Sequence, residues 1–145
     1  MDRYKFRALR DDISDFTFKY GSLVYDEHGN PRILTDVKNM LFTTCVKETE
    51  GQYIGFPDCE NTDIYEGDIM EIEYPRYMGY VGPDRKRISE LKDKGLFLVV
   101  RDDTNTVDGG FGAFYFEGKK IHIDYARYGR VIGNIYQNPK LLNKE

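Results

Sequence analysis

Short runs of alternating apolar and polar residues, each ended within a few positions by turn-forming residues, dominate this chain. The clearest run extends from Met70 to Tyr74, where apolar and acidic residues alternate. A period of two places apolar side chains on one face of a β-strand, whereas a helix needs spacings of three and four. The 12 Tyr and 9 Phe suit a pleated, half-buried surface, and 14 Gly and 5 Pro supply frequent turns. The sequence therefore predicts a mainly β chain.

Ten segments fit a strand by alternation, β-branched content or apolar character. Turn formers at 26–31 predict a hairpin, and Glu117-Gly118 predicts a two-residue hairpin loop. The continuous apolar run at 96–100 is typical of a strand buried on both faces. The predicted strands are 5–9, 23–25, 32–34, 42–46, 52–54, 69–74, 96–100, 111–116, 119–125 and 130–136.

Two helical segments are predicted. The first is a short inserted helix over 84–94, with Ile88 and Leu91 three positions apart and Gly95 as a C-terminal stop. It follows a Gly- and Tyr-containing segment, 75–83, that we expect to be a mobile loop. The second is a C-terminal helical turn that Asn138 and Pro139 would open. We expect one domain over residues 1–145: a barrel-like (SH3-like or related) antiparallel β fold with these two helical additions.

Length and charge exclude several classes of protein. A chain of 145 residues suits one globular domain, and its net charge of −4 argues against a non-specific polycation. No apolar leader follows Met1, and the longest apolar run is far shorter than the ~20 residues that span a bilayer. Two cysteines, Cys45 and Cys59, do not make a disulfide framework. We therefore expect a cytoplasmic protein with free thiols and no membrane partner.

The residue inventory for catalysis and metal binding is poor. No serine stands in a Gly-x-Ser-x-Gly elbow, and no His-x-x-x-His or Cys-x-x-Cys spacing occurs. The acidic segment 102–109 lacks the ligand pattern of a calcium loop because Val107 stands where an oxygen ligand belongs. We therefore predict no catalytic residue, metal or cofactor. A hydrolase built on Glu66, Asp68 or Asp124 with His122 stays open as an alternative.

One segment mixes aromatic and basic residues. Residues 119–145 carry a net charge of +4, against −8 for the rest, and include Tyr125, Arg127, Tyr128 and Arg130. Tyrosines can stack on bases while arginines pair with phosphates, so this segment is a candidate nucleic-acid or partner contact. The interpretation we favour is a strand whose tyrosines pack inward, since an acidic protein of this size lacks a broad basic face.

Three stretches together resemble the YopX-like family of phage and prophage proteins. They are Lys5-Phe6-Arg7-Ala8, then Gly55-Phe56 with Ile64-Tyr65-Glu66-Gly67-Asp68-Ile69, and Val131-Ile132-Gly133-Asn134-Ile135-Tyr136-Gln137-Asn138-Pro139. Two departures stand out: Leu9 where the family usually has Trp, and Asn61 where its central turn has a glycine. Asn is the residue that best tolerates a left-handed turn after Gly, so the turn is expected to survive.

The resemblance implies a mainly β, barrel-like fold encoded by a phage or an integrated element and acting in the host cytoplasm. It carries over no activity, cofactor or catalytic residue, and its repeated residues point to fold. Gly55, Gly67 and Gly133 would form backbone corners, and Asn134 and Tyr136 would bond or pack at the chain end. The isoleucines of the stretches would form a core; they are Ile64, Ile69, Ile132 and Ile135. Tyr65, Glu66 and Asp68 complete the set of family-motif residues. Our leading hypothesis is a non-enzymatic protein-binding or assembly module that self-associates or binds a phage or host protein. A nucleic-acid-binding accessory protein is the alternative.

Overall fold

The fold is built from short antiparallel strands, as the alternation predicts. The computed structural model describes residues 6–12, 15–36, 38–75, 80–81, 86–87, 92–101, 114–118 and 121–143. Within them, 3₁₀ helices cover Ile123–Tyr128 and Pro139–Asn143. The strands are β1 (Phe6–Leu9), β2 (Phe18–Tyr25), β3 (Pro31–Asp36), β4 (Leu41–Thr44), β5 (Gly51–Pro57), β6 (Asp63–Tyr65), β7 (Asp68–Pro75), β8 (Tyr80–Val81), β9 (Lys86–Arg87), β10 (Lys92–Arg101), β11 (Phe114–Phe116) and β12 (Arg130–Asn134).

The strands form two main sheets rather than a barrel. The first sheet has the order β4-β3-β2-β1-β5-β6 and the second β11-β10-β7-β12, while β8 and β9 pair alone. All these pairings are antiparallel. A bridge between Arg10 and Cys45 brings the ends of β1 and β4 together, so the first sheet curls, but no closed barrel forms among the described strands. The mainly antiparallel β prediction is confirmed, and the barrel-like, SH3-like prediction is not.

Cross-strand register places a set of large side chains on one face of the first sheet. Arg7 lies opposite Tyr20, Leu9 opposite Phe18, and Tyr53 opposite Tyr65. Directly opposed residues of an antiparallel pair share a face. Arg7 also lies opposite Gly51, two residues before Tyr53. The rings of Phe18, Tyr20, Tyr53 and Tyr65 are therefore directed to the same side as Arg7.

The main core lies between the two sheets and beneath the first 3₁₀ helix. It combines residues of β5 and β6 with residues of the second sheet and with Ile123 and Ala126, both fully buried. A smaller cluster of Ala8, Ile33 and Cys45 fills the curl of the first sheet. The buried members of the main core are Ile54, Phe56, Ile64, Met70, Ile72, Phe97, Val99, Phe116, Ile123 and Ala126.

Two helical predictions have different outcomes. The C-terminal turn is confirmed as a 3₁₀ helix, Pro139–Asn143, in which the Leu141 amide donates to the Asn138 carbonyl at 3.1 Å. The inserted helix over 84–94 is not confirmed, because its described parts, β9 and the start of β10, are strands. The rest of that segment, and most of the predicted loop 75–83, lies outside the described residues, although Tyr80–Val81 forms β8.

The predicted strand 119–125 is wrong over its second half. Ile123–Tyr128 is a 3₁₀ helix, and the His122 Nδ1 accepts a hydrogen bond from the Asp124 amide at 3.1 Å at its start. The helix buries Ile123 and Ala126, which are three positions apart and so lie on one side of a three-residue turn. Strand β10 also differs from the prediction: Phe97 and Val99 are buried, but the residues between and beside them are half-buried.

Candidate functional site

A buried ion pair joins the two sheets. Arg7 of β1 and Asp68, the first residue of β7, meet with Nη2 and Oδ1 2.7 Å apart, and their side chains are 6% and 2% exposed. The other carboxylate oxygen of Asp68 accepts a hydrogen bond from the Tyr65 amide at 2.8 Å. Burial raises the pKa of Asp68, while Arg7 and the Tyr65 amide act in the opposite direction. Removal of either side chain would leave the other charge buried without a partner and would destabilise the fold.

Aromatic rings surround the Arg7 guanidinium. Its Cζ lies 4.2 Å from the ring centroid of Phe18 and 5.0 Å from that of Tyr65. The Tyr65 ring in turn contacts Tyr20 at 5.5 Å and Tyr53 at 5.7 Å between centroids. The Arg7 Nε is buried and has no hydrogen-bond partner among the residues that the structure describes. Ring faces and one carboxylate thus hold a cation that would otherwise be too costly to bury.

The three stretches that carry the family resemblance converge on this pair. Gly67 adopts a φ of +95°, which confirms the predicted backbone corner, and its carbonyl accepts from the Ile135 amide at 3.0 Å. A Cβ on Gly67 would lie 3.3 Å from the Tyr136 ring. Tyr136 packs edge-on against Phe18, with centroids 6.1 Å apart. The second and third stretches are thus in contact beside Arg7.

Asn134 and Gly133 fix the turn that follows β12. The buried Asn134 Oδ1 accepts from the Tyr136 amide at 3.1 Å and from the Gln137 amide at 2.9 Å, as in an Asx-turn. Gly133 is required for close packing: a Cβ there would lie 2.6 Å from the Asn138 Oδ1. Its backbone φ is not in the left-handed range, so the corner predicted there has a different cause.

The other residues of the second stretch and of the turn within it have local roles. Gly55 adopts a φ of +110°, where the β5–β6 register shifts. Asn61 adopts the left-handed φ of 63° expected at the position of the family's glycine. Ile64 is fully buried. The Glu66 amide donates to the Gln52 carbonyl at 2.9 Å, which places Glu66 at the start of the turn before β7.

A groove of about 750 Å³ opens beside the ion pair, and we call it the Arg7 groove. Its described walls come from β1, from the start of β2 and the segment before it, from β6, and from β12 and the turn after it. Arg7 is the only basic side chain among the described residues that line it. Its aromatic residues are Phe16, Phe18, Tyr20 and Tyr65, and its acidic residues are Asp15, Asp63 and Asp68.

Phe16 stands at the groove in a strained backbone conformation. Its φ is 56°, a left-handed value that is rare for a bulky residue, and its side chain is 57% exposed. The Gln137 Nε2 donates a hydrogen bond to the Phe16 carbonyl and so ties this segment to the turn after β12. The structure therefore presents an aromatic side chain to solvent at a conformational cost.

Comparison with known proteins gives a family match over nearly the whole chain. The model of the YopX protein family matches residues 5–143, which include all three family stretches. The chain belongs to the YopX family. Its structure is similar to the crystal structure of protein EF1440 from Enterococcus faecalis, with a TM-score of 0.54 and 21% identity over 95% of this chain and 96% of that one. At that identity the likeness shows the fold alone. No functionally curated protein matches the sequence.

In this YopX-family chain, the candidate contact segment lies away from the Arg7 groove. Arg127 binds the Asp124 carboxylate at 2.7 Å and stacks 3.9 Å above the Phe56 ring centroid. Arg130 binds Glu71 at 3.0 Å. Tyr125 is half-buried against the main core, and Tyr128 is 71% exposed. Both arginines already pair with carboxylates of the same chain, so they are less available to bind a phosphate backbone.

The residues of the hydrolase alternative do not share one described cavity. Asp68 lines the Arg7 groove, whereas Glu66 lines a separate depression. The described residues lining either space include neither His122 nor Asp124, which lie together at the 3₁₀ helix. Within the ranges that the structure describes, no group of three or more His, Cys, Asp or Glu is placed to hold a metal ion, and no helix is long and apolar enough to cross a membrane.

The sequence identifies the second and third stretches as family motifs, but it does not identify the side chains that line the groove. It places Arg7 in a strand and offers no signal that singles out Phe16, Phe18 or Tyr20. Alternation along β1 does place Arg7 on the face opposite Phe6 and Ala8. It gives no indication that this face is covered, because the covering residues are distant in sequence.

Proposed function

We propose that this YopX-family protein is a non-enzymatic protein-binding module, and that the Arg7 groove is its binding site. The observation that carries the proposal is the convergence of all three family stretches on one groove whose rim exposes aromatic side chains. Phe16 is 57% exposed and Tyr20 is 38% exposed. Exposed aromatic side chains around a concavity are typical of protein-recognition surfaces.

The size of the groove supports recognition of part of a macromolecule. Its volume of about 750 Å³ falls within the range of known binding pockets. The groove is open, half of its described lining residues carry rings or carboxylates, and the catalytic groups considered above are not gathered in it. A partner's side chain and adjacent backbone match such a space better than a substrate that requires enclosure.

Two features of the groove reduce the stability of the fold. The buried Arg7 Nε has no acceptor in the described part of the chain, and a buried donor of this kind costs about 1–3 kcal/mol. The left-handed Phe16 costs about 1–3 kcal/mol more. Features of this kind cluster at functional sites, which supports binding here.

Site-directed photo-cross-linking tests the proposal. A benzophenone-bearing phenylalanine analogue replaces Phe16, and a matched control replaces Tyr128, which is 71% exposed and outside the groove. In cells that express the chain naturally, we expect a discrete cross-linked product from position 16 only. Tyr20→Ala should reduce its yield without changing the melting temperature by more than a few degrees. Equal products from both positions, or none from position 16, would refute the groove as the binding site.

Self-association is a second candidate, favoured by Met40 and Leu41 at the start of β4. Their side chains are 61% and 55% exposed, and adjacent exposed apolar residues favour an interface with a second copy of the chain. Size-exclusion chromatography with light scattering, before and after nuclease and high salt, should show a discrete oligomer that neither treatment changes. Leu41→Lys should convert it to a monomer. A wild-type monomer would exclude self-association and leave the groove proposal intact.

A further inference from the structure

The charges along the Arg7 groove are unbalanced. Among the described lining residues, three carboxylates accompany a single cation. Arg7 and Asp68 neutralise each other at 2.7 Å, which leaves the exposed Asp15 and the half-buried Asp63 as the carboxylates that set the sign of the charge along the groove. The hydrogen bond between Asp15 and Thr17 keeps the Asp15 pKa below the usual value, so this carboxylate is ionised at neutral pH. The groove therefore presents negative charge beside exposed rings.

The chain already binds its own cations with this combination of groups. Arg7 lies over Phe18 and Tyr65 and pairs with Asp68. At a separate position, a guanidinium lies 3.9 Å above the Phe56 ring centroid and pairs with a carboxylate at 2.7 Å. In both places a ring face and a carboxylate share one cation, an arrangement whose two attractions reinforce each other.

The rim of the groove offers the same combination to a ligand. Asp15 and Phe16 are adjacent and exposed, and Tyr20 is 38% exposed on the same groove. Resting on the proposed function, we infer that the groove recognises a basic side chain, lysine or arginine, on its partner protein. The cation lies against the rings of Phe16 and Tyr20 and pairs with Asp15.

The same charges disfavour a polyanion in the groove. Phosphates need cations or unoccupied donors, and the one described guanidinium here belongs to Arg7, which is only 5% exposed and bound to Asp68. The Asp15 carboxylate would repel a nucleic-acid backbone. Charge complementarity therefore selects a basic segment of a protein, and nucleic-acid binding becomes an outcome that the test can reveal.

The test uses the full chain, labelled with ¹⁵N, and short Gly/Ser peptides with a central lysine, arginine or norleucine. Norleucine keeps the length of lysine without its charge. We expect the lysine and arginine peptides to shift the amide resonances of Phe16, Tyr20 and Tyr65 saturably, and the norleucine peptide to bind roughly tenfold more weakly. High salt should weaken the basic peptides selectively.

Variants identify the groups responsible. Asp15→Asn keeps an acceptor for the Thr17 amide, and Phe16→Leu keeps apolar bulk without a ring, so both should fold and both should weaken the lysine peptide several-fold. Glu27→Gln is the matched control, because Glu27 is an exposed carboxylate outside the groove, and it should leave binding unchanged.

The outcomes separate this inference from the proposed function. Equal affinity for the norleucine and lysine peptides would overturn charge recognition, and so would preferential binding of a single-stranded oligonucleotide to the same residues. An absence of groove shifts with every peptide would also overturn it. In each of these cases a specific cross-link from position 16 would still support protein binding, whereas a missing cross-link would refute the groove itself.

Discussion

Separating the Arg7–Asp68 pair should expose how strongly the fold depends on it. Arg7→Met removes the cation but leaves the Asp68 carboxylate 2% exposed, with the Tyr65 amide as its remaining hydrogen-bond donor. Loss of one partner of a buried pair costs about 3–5 kcal/mol, because the remaining charge is uncompensated. At about 2–4 °C per kcal/mol, the melting temperature should fall by on the order of 10 °C.

The double variant Arg7→Met/Asp68→Asn distinguishes electrostatic coupling from lost packing. The Asp68→Asn substitution removes the buried, unpaired negative charge and keeps an oxygen that accepts the hydrogen bond from the Tyr65 amide. The double variant should therefore be more stable than Arg7→Met alone. Urea unfolding at fixed pH measures the free energy of unfolding of all four proteins of the cycle. Additive losses in the cycle would refute the coupling.

The pH dependence of the same variants supplies a second criterion. Burial already raises the pKa of Asp68 in the folded protein, and Arg7 is the largest opposing influence. Without Arg7 the folded-state pKa rises further above the unfolded value of about 3.9. Between those two values the folded state binds more protons, so the free energy of unfolding falls as pH rises. Arg7→Met should therefore lose stability upward from about pH 4 more steeply than wild type, and the double variant should lack this extra slope. A pH-independent deficit would show that the ion pair is not its cause.

Three further predictions follow from single features of the structure. Burial of Cys45 raises the pKa of its thiol to about 11, so an alkylating reagent should react in the native protein only with the exposed Cys59. Intact mass should therefore show one added group on the native protein and two on the denatured protein. Rapid addition of two groups to the native protein would contradict this. Gly133→Ala should cost about 1–3 kcal/mol in urea unfolding, since its Cβ would lie 2.6 Å from the Asn138 Oδ1. In the control Gly29→Ala, no described atom lies within 4 Å of the new Cβ, so the loss comes only from the φ of +81°. Equal losses of unfolding free energy in the two variants would refute the clash at Gly133. Because both arginines of the 125–130 segment bind carboxylates, we expect no retention of single-stranded DNA or RNA at low salt; binding that double substitution of those arginines by alanine abolishes would establish the nucleic-acid alternative instead.

Local features were predictable from the sequence because their causes are local. Gly67 and Asn61 adopt positive φ values where turn chemistry predicted them. Alternation placed Ile69 and Ile72 in strand β7, and both are fully buried. In each case the deciding interaction lies within a few residues, and side-chain type alone sets the backbone preference.

Two local patterns were misleading because tertiary packing decided the outcome. Ile121, Ile123 and Tyr125 alternate as in a strand, yet the spacing of three between Ile123 and Ala126 is the one that the core uses. A short segment can fit both the two-residue period of a strand and the three-residue period of a 3₁₀ helix. The surface that the segment packs against then decides which structure forms. The segment 84–94 also has a helix-like spacing, but its described ends pair in β9 and β10.

The groove could not be predicted because its members are distant in sequence. Asp68 lies 61 positions from Arg7, and the Gln137 side chain that holds Phe16 lies 121 positions away. Alternation assigns a face to Arg7 but does not identify what covers that face. Long-range strand pairing supplies this information, and no residue type reveals it in advance.

The ion pair lies both between the two sheets and in the wall of the proposed binding groove. Arg7 belongs to the first sheet and Asp68 to the second, and Gly67 beside them donates to Val99 of β10 and accepts from Ile135 after β12. Arg7 and Asp68 therefore both join the sheets and line the Arg7 groove. Under the proposed function, these two residues would serve the fold and the binding site together. The exposed rim separates the two roles. Substitutions at Asp15, Phe16 and Tyr20 should change binding with little effect on stability, whereas substitutions at Arg7 and Asp68 must change both.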